Sequence, residues 1–304
     1  MNKAGAQGYE PWQCFDGECI PSSKLTCSTC PLYPRSKGDI FLQKTREQMA
    51  YPKMKVFYVI NGTTPIKAFR RNGLRRFLVS AYSTKYQQAG SPSTVALLEG
   101  TEWILDSGMV SAWREGRKDW ADNQEYITSL AQWMHPTFVS HLDIPVEKHL
   151  LRRNGYSRQE AIKKTVSNAR DFLDANVGKS RKVFSIQGWA IDEYLGCLHE
   201  FQDIGVLDHL STHGGLLGVG TMCLRKPGQG LYGILREIRK TVTDIPIHVW
   251  GVGQLSYQKN LAQIGIDSTD TGSTLMQWAF AERHLNSQKI SKGQTTLEAD
   301  AELR

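Results

Sequence analysis

The chain lacks any run of about 18 uninterrupted apolar residues, which is the length that a membrane-spanning helix requires. The segment from Met1 to Pro11 also lacks the apolar stretch of a secretory signal peptide. Neither a membrane span nor secretion is therefore supported. We expect a cytoplasmic protein that has no contact with a membrane.

Acidic residues are in the minority, with 30 Asp and Glu against 37 Lys and Arg, and the formal net charge is +7. The basic residues cluster at three places: Lys67, Arg70, Arg71, Arg75 and Arg76; Arg152 and Arg153; and Lys179, Arg181 and Lys182. Such clusters can contact the phosphates of a nucleic acid. A solvated, mildly basic surface explains them equally well.

Cysteine is scarce beyond the first thirty residues. Four of the six cysteines lie near the start of the chain: Cys14, Cys19, Cys27 and Cys30. In a cytosolic protein such a group indicates a metal before it indicates disulfides. Four thiolates can complete a tetrahedral structural zinc site, which we expect here, with an iron–sulfur cluster or free thiols as alternatives. Cys197 and Cys223 are typical of ordinary core cysteines.

From residue 54 onwards, strand-like apolar segments alternate with helical patterns. The strand candidates are Val56–Ile60, Phe77–Ser80, Trp103–Asp106, Phe138–Asp143, Val183–Gln187, Asp208–Ser211 (with an extension toward Val219 as an alternative), Ile247–Gly251 and Ile266–Asp270. The helix candidates are Thr64–Gly73, Asn123–Met134, Ser157–Asn176, Ile191–Ile204, Gly230–Val242, Ser256–Ile264 and Leu275–Leu285. This alternation predicts an α/β protein with a parallel sheet, and eight units predict closure into a (β/α)8 TIM barrel.

The length of 304 residues fits one such barrel of about 250 residues with an appendage. We therefore divide the chain into a small Cys-containing N-terminal extension (1–53), the barrel (54–285) and a polar C-terminal tail (286–304). Within the barrel, Ser83–Glu102 shows no clear helical period and is predicted to be a loop or lid.

Polar signatures end several of the apolar runs: Asp106-Ser107-Gly108, His141-Leu142-Asp143, Gln187-Gly188 and Asp267-Ser268-Thr269-Asp270. In a (β/α)8 barrel the catalytic groups come from the C-terminal ends of several strands. The pattern therefore predicts an enzyme whose active site is built from these strand ends.

The order of the strand ends, including the later Gly251-Val252-Gly253, resembles the tRNA-guanine transglycosylases. Residues 61–65 and 78–82 resemble the opening elements of that family, and the similarity spans roughly residues 54–285. These enzymes exchange guanine for a 7-deazaguanine base by double displacement at the sugar C1′. Covalent catalysis of this kind divides one difficult substitution into two easier ones.

The resemblance implies a role for each strand-end residue. Asp270 would be the nucleophile and Asp106 the general acid/base. Asp143 would accept hydrogen bonds from N1–H and the 2-amino group of guanine. Gln187 and nearby backbone N–H groups would donate hydrogen bonds to O6. The expected substrate-binding residues are Ser107, Asp143, Gln187, Gly188, Gly218 and Gly220.

Three alternatives stay open at this point. Asp267 could replace Asp270 as the inward-facing group, because two residues three apart on a strand point to opposite faces. Asp106 could be a helix N-cap. Gly214-Gly215-Leu216 resembles the family's base-contacting GGL as well as Gly218-Val219-Gly220 does.

The departures from the tRNA enzymes are informative. Those enzymes carry a C-x-C-x-x-C…H zinc subdomain after the nucleophile strand, whereas no cysteine follows Asp270 here. The compact barrel looks most like the DNA-modifying, DpdA-like branch of bacteriophages and bacterial modification islands, which inserts 7-cyano-7-deazaguanine or a relative into DNA. For a phage-encoded member, the compartment would be the host cytoplasm.

This resemblance implies a glycosyltransferase with DNA and a free 7-deazaguanine base as partners, and with no redox or nucleotide cofactor. The alternatives are the same chemistry on tRNA, a barrel hydrolase, or a nucleic-acid-binding barrel without this catalysis. Because the target base is stacked inside a duplex, it would be flipped out or single-stranded. Candidate stacking residues are Tyr82, Trp113, Trp120 and Trp189.

Overall fold

The computed structural model describes residues 54–86, 91–223, 225 and 230–279, together with the backbone pairing of residues 14–15 and 18–19. Contacts divide the chain into two units. One comprises residues 48–66 and 75–276, and the other comprises residues 1–47, 67–74 and 277–304. Every barrel strand and every residue of the site below belongs to the first unit.

Eight parallel strands close into a barrel. They are β1 (Lys55–Ile60), β2 (Arg76–Ser80), β3 (Glu102–Asp106), β4 (Phe138–Ser140), β5 (Arg181–Ile186), β6 (Leu216–Val219), β7 (Ile247–Val249) and β8 (Ser268–Thr271). Each pairs with its neighbours in sequence, and β8 also pairs with β1, with Asp270 opposite Phe57. The predicted (β/α)8 barrel is confirmed.

Helices connect the strands. They are α1 (Thr63–Arg71), α2 (Ala81–Tyr86), α3 (Pro92–Leu98), α4 (Met109–Arg114), α5 (Gln124–Met134), α6 (Lys148–Asn154), α7 (Arg158–Leu173), α8 (Ile191–Asp203), α9 (Val206–His213), α10 (Leu231–Thr241) and α11 (Leu255–Ile264). A 3-10 helix covers Lys118–Asp122, and residues 273–279 are helical. None of the described helices combines the length and apolarity needed to cross a bilayer.

The strands are buried on both faces, because the barrel interior covers one face and the helices cover the other. Several are accordingly apolar runs, such as Val-Phe-Tyr-Val-Ile in β1, rather than alternating patterns, whereas β8 (Ser268–Thr271) is buried although all four of its residues are polar. One buried cluster draws a side chain from each of β1 to β6: Phe57, Leu78, Ile104, Phe138, Val183 and Leu216. This packed core fixes the strand ends on which the polar residues lie.

Two element predictions are wrong. Residues 208–211 belong to helix α9, and β6 begins only at Leu216. Val206 and Leu210, four residues apart, are both buried, which a helix and a strand each allow, and Gly214 and Gly215 separate the helix from the apolar strand.

The second error concerns Ser83–Glu102, which is not simply a loop. It contains the end of α2, the helix α3 and the start of β3. Ser91 caps α3 by accepting a hydrogen bond from Thr94 N (3.3 Å), and Pro92 occupies the first turn, where its missing N–H costs nothing. Residues 87–90 lie outside the described residues.

Of the four N-terminal cysteines, Cys14 and Cys19 lie opposite each other in a short antiparallel pair of strands, Cys14–Phe15 and Glu18–Cys19. Cys27 and Cys30 lie outside the described residues, as does the predicted tail from residue 286. The zinc site therefore stays a prediction.

Candidate active site

A cavity of about 430 Å³ lies at the C-terminal ends of the barrel strands. Six of the eight substrate-binding or catalytic residues predicted from the sequence line it: Asp106, Ser107, Asp143, Gln187, Gly220 and Asp270. They come from β3, β8 and the segments that follow β3, β4, β5 and β6. Parallel strands bring residues that are far apart in the chain to one edge of the sheet.

The other two predicted residues are not among the lining residues. A Cβ at Gly188 would lie 2.8 Å from the Tyr194 N atom, so this glycine permits close packing of α8. A Cβ at Gly218 would lie 2.3 Å from Ser185 Oγ. Gly214 and Gly215 precede β6 and therefore lie at the opposite end of that strand from Gly220.

Asp270 is held by three groups at the end of the barrel. Its Oδ1 accepts a hydrogen bond from Gly251 N (2.7 Å), and its backbone oxygen accepts one from Gly253 N (2.8 Å). His248 Nε2 lies 3.4 Å from the same Oδ1. The carboxylate is thus fixed in direction while its side chain still lines the cavity.

Asp267 lies elsewhere. Its Oδ2 accepts hydrogen bonds from Arg239 (2.6 Å) and from Ile247 N (2.8 Å), at the start of β7. The strand therefore places Asp270 in the cavity and Asp267 in an ion pair at the opposite end.

Asp106 ends β3 and faces the other acids of the cavity. Burial, together with the nearby charges of Asp143 and Asp270, raises the pKa of Asp106 from 3.8 to about 7. Its Oδ2 accepts a hydrogen bond from Gly108 N (3.0 Å), but Gly108 itself is the N-cap of α4. Asp106 is therefore a carboxyl group that can hold or release a proton near neutral pH.

Asp143 follows β4 and is oriented by two neighbours. Ser107 Oγ donates to its Oδ1 (3.2 Å), and Gln187 Nε2 donates to its Oδ2 (2.5 Å). Burial raises the pKa of Asp143 to about 6. A carboxylate held in this way presents its remaining lone pairs to a partner that carries N–H groups.

Gln187 is fixed in turn by the segment after β6. Thr221 Oγ1 donates to Gln187 Oε1 (2.6 Å), which orients the amide nitrogen toward Asp143. A Cβ at Gly220 would lie 2.1 Å from Gln187 Nε2, so only glycine leaves room for the amide. Tyr194 OH anchors this loop by donating to Gly220 O (2.7 Å).

Three residues of this environment were missed by the sequence reasoning: Glu147, Thr221 and His248. Glu147 is buried and lines the cavity, and burial raises its pKa. Its side chain lies 3.4 Å from Thr221 Oγ1 and 3.9 Å from Cys223 Sγ. An acid shortly after a strand, and a histidine within the apolar run of β7, were the available signals.

The aromatic residues predicted to stack on a base are mostly core. Tyr82, Trp113 and Trp120 are each at most 1% exposed, so they offer no surface to a base. Trp189 is 38% exposed, and the Arg225 guanidinium lies 4.4 Å from its ring centre. Among the described residues, no group of three or more His, Cys, Asp or Glu side chains could hold a metal ion.

Solved structures of several enzymes have a similar fold. Phosphonopyruvate hydrolase, solved with oxalate and Mg²⁺, has a TM-score of 0.52 at 10% identity over 83% of this chain and 88% of that one. 2,3-Dimethylmalate lyase, a member of the PEP mutase/isocitrate lyase superfamily, has a TM-score of 0.50 at 10% identity over 85% and 89%. These likenesses show the barrel fold alone.

A search of curated protein sequences gives no match. The model of the family DpdA, described as DeoxyPurine in DNA protein A, matches residues 62–290. The match covers more than half of the chain and includes every lining residue of the cavity from β2 onwards. The chain therefore belongs to the DpdA family.

Proposed function

We propose that this protein is a DNA-guanine transglycosylase, which exchanges guanine in DNA for a 7-deazaguanine base such as 7-cyano-7-deazaguanine. The family description, deoxypurine in DNA, supports DNA as the substrate. The observation that carries the proposal is the convergence of Asp106, Asp143 and Asp270, in three different surroundings, on one cavity. Different surroundings give the same side chain different chemical roles.

In the first step, an Asp270 carboxylate oxygen attacks C1′ of the target deoxyguanosine. The bond between C1′ and N9 breaks, and an ester bond between the sugar and Asp270 forms. The Gly251 N–H keeps the nucleophile pointed into the cavity. Asp106, with its raised pKa, gives its proton to the departing guanine, which leaves as the neutral base.

In the second step, the 7-deazaguanine base occupies the same place. Asp106, now a carboxylate, takes the proton from N9 of the incoming base. N9 then attacks C1′, and the ester bond to Asp270 breaks, which regenerates the carboxylate. One glycosidic bond has replaced another, so the exchange balances without an oxidant, a reductant or a nucleotide.

Asp143 would read the base edge. Its two oxygens, already oriented by Ser107 and Gln187, can accept from N1–H and the 2-amino group. The Gln187 amide has a second hydrogen, beyond the one given to Asp143, that can be donated to O6. Guanine and 7-deazaguanine share this edge, so one pocket serves both the leaving and the incoming base.

The proposal is tested by incubating the protein with radiolabelled guanine and a DNA oligonucleotide, and measuring label in the DNA. Asp270→Asn should reduce incorporation to background, because a neutral amide cannot form the sugar ester. Asp267→Asn is the matched control. It removes a carboxylate from the same strand segment but from the far end, and it should retain incorporation within a few-fold.

Two results would contradict the proposal. Incorporation into tRNA but not into DNA would move the same chemistry to a different nucleic acid. Undiminished incorporation by Asp270→Asn would remove the covalent step. A wild-type adduct with DNA that survives denaturation, and that disappears when free guanine is added, would support the ester intermediate directly.

A further inference from the structure

Five cations lie together at the end of the barrel where the cavity opens. Arg114 of α4 lines the cavity, and the other four lie on the next 3-10 helix and on α6: Lys118, Lys148, Arg152 and Arg153. All five are exposed. We call them the rim cations.

The rim cations are close to one another because α4 packs against α6. A Cβ at Gly116 would lie 3.7 Å from the Arg153 guanidinium, and one at Gly155 would lie 3.7 Å from Lys118 Nζ. Buried Trp113 anchors the contact, with its ring 5.1 Å from that of Tyr156. The positions of the charges are thus set by a packed interface.

No rim cation makes a salt bridge with a carboxylate in the described part of the chain. Three neighbouring acids are engaged with other groups: Glu115 with Tyr82 (2.5 Å), Asp119 with Arg117 (3.6 Å) and Asp122 with Lys164 (3.0 Å). A fourth, Glu147, is buried in the cavity wall, where it is attracted to Arg114 without a salt bridge. The positive charge of the rim is therefore available to an external anion.

At the opposite end of the barrel, several cations contact groups of the protein itself. Glu102 pairs with both Lys55 (2.6 Å) and Arg76 (3.0 Å). Arg181 lies over the Phe138 ring at 4.2 Å, and Lys182 donates to Leu173 O (2.5 Å). These residues, which include parts of two of the basic clusters in the sequence, serve the barrel itself.

The cavity explains why cations belong at its rim. Its lining includes Asp106, Asp143, Glu147 and Asp270, so a phosphate is repelled from the interior. A nucleotide must enter base first, with its phosphates left outside. Helix α6, seven residues and about 10 Å long, equals in length the axial rise of about three nucleotides of one B-DNA strand, at about 3.4 Å each.

We infer that the rim cations bind the phosphate backbone of the DNA strand whose guanine enters the cavity. This inference rests on the proposed function and assigns one surface of the protein to its nucleic-acid partner. The contact carries no sequence information, because it is made to phosphates. It sets the position of the strand, while the cavity selects the base.

The test compares two double variants that remove the same charge. Arg152→Gln/Arg153→Gln removes two rim cations. Arg170→Gln/Lys179→Gln removes two exposed cations near the start of β5, at the other end of the barrel. Binding of a fluorescent single-stranded DNA oligonucleotide is measured by anisotropy over a range of salt concentrations, together with label exchange at saturating DNA.

The rim variant should bind roughly tenfold more weakly at 0.1 M salt, and its slope of log K against log salt should fall by about 1.4, or 0.7 for each lost phosphate contact. The control variant should keep both the wild-type slope and the wild-type rate of base exchange. Equal slopes for the two variants would overturn the inference. So would a larger loss in the control, or a rim effect on tRNA binding alone.

These outcomes are separable from failure of the proposed function. If the wild-type protein exchanges base into DNA but the rim variant keeps its salt slope, the function stands and the surface assignment fails. The wild-type protein could also exchange no base while the slope of log K against log salt for DNA binding falls in the rim variant. In that case the surface assignment stands and the transglycosylase proposal fails.

Discussion

Replacing Asp106 by Asn is expected to stabilise the protein while destroying its exchange activity. The pKa of this carboxyl is raised from 3.8 to about 7 in the folded protein. Above pH 7 the folded state must therefore hold a charge that burial and two neighbouring carboxylates disfavour. Asn is neutral at every pH, and its Oδ1 can keep the hydrogen bond from Gly108 N.

The direction in which wild-type stability changes with pH follows from proton linkage. A raised pKa means that the folded state binds more protons than the unfolded state, so wild-type stability falls as the pH rises from about 4 through 7. At 1.36 kcal/mol for each pH unit, the ionisation of Asp106 lowers the free energy of unfolding of the wild type by about 4 kcal/mol at pH 8 and about 2 kcal/mol at pH 5. Asn removes this loss. The advantage of Asn thus grows with pH.

Urea unfolding followed by circular dichroism at pH 5 and pH 8 measures this difference. Asp119→Asn, an exposed change on the 3-10 helix, serves as the control and should alter the free energy of unfolding by less than about 0.5 kcal/mol. The reasoning fails if Asp106→Asn is no more stable than wild type at pH 8. It also fails if the advantage is the same at both pH values.

Two other changes test how the base edge is read. Gly220→Ala would place a Cβ 2.1 Å from Gln187 Nε2 and displace the amide, so we expect the KM for the free base to rise about tenfold and stability to fall by about 1–3 kcal/mol. Gly196→Ala, in open space within α8, is its control and should leave KM unchanged; equal KM values for the two variants would refute the role of Gln187. Asp143→Asn should weaken guanine binding by about 1–3 kcal/mol, because the amide leaves donors of the base unpaired, and inhibition by free guanine and adenine measures the lost discrimination. Unchanged discrimination would remove Asp143 from the pocket.

The sequence was most informative where a buried strand ends in a polar residue. The centres of β3 and β5 are apolar (Trp103-Ile104-Leu105 and Val183-Phe184), so Asp106 and Gln187 stand out after them, and the parallel sheet brings those strand ends together. The barrel and the gathering of six polar or glycine positions around one cavity could be predicted from this pattern.

Other features depend on packing that no local pattern records. Val206 and Leu210 are compatible with a strand or a helix, and only the contacts of α9 decide between them. The environment of Glu147 depends on Thr221, 74 residues away, which lies in a left-handed conformation with φ of 52°. The separation of Asp267 from Asp270 likewise depends on Arg239, which the strand sequence itself does not contain.

The pairing of β8 with both β7 and β1 has a consequence for how the protein is made. While the ribosome has delivered only the first seven strands, β1 and β7 each present an open edge that can pair with another chain. Strand β8 covers both edges at once, and it also carries Asp270. A growing chain therefore gains its proposed nucleophile in the same event that ends its exposure to aggregation, and no open intermediate holds a finished active site.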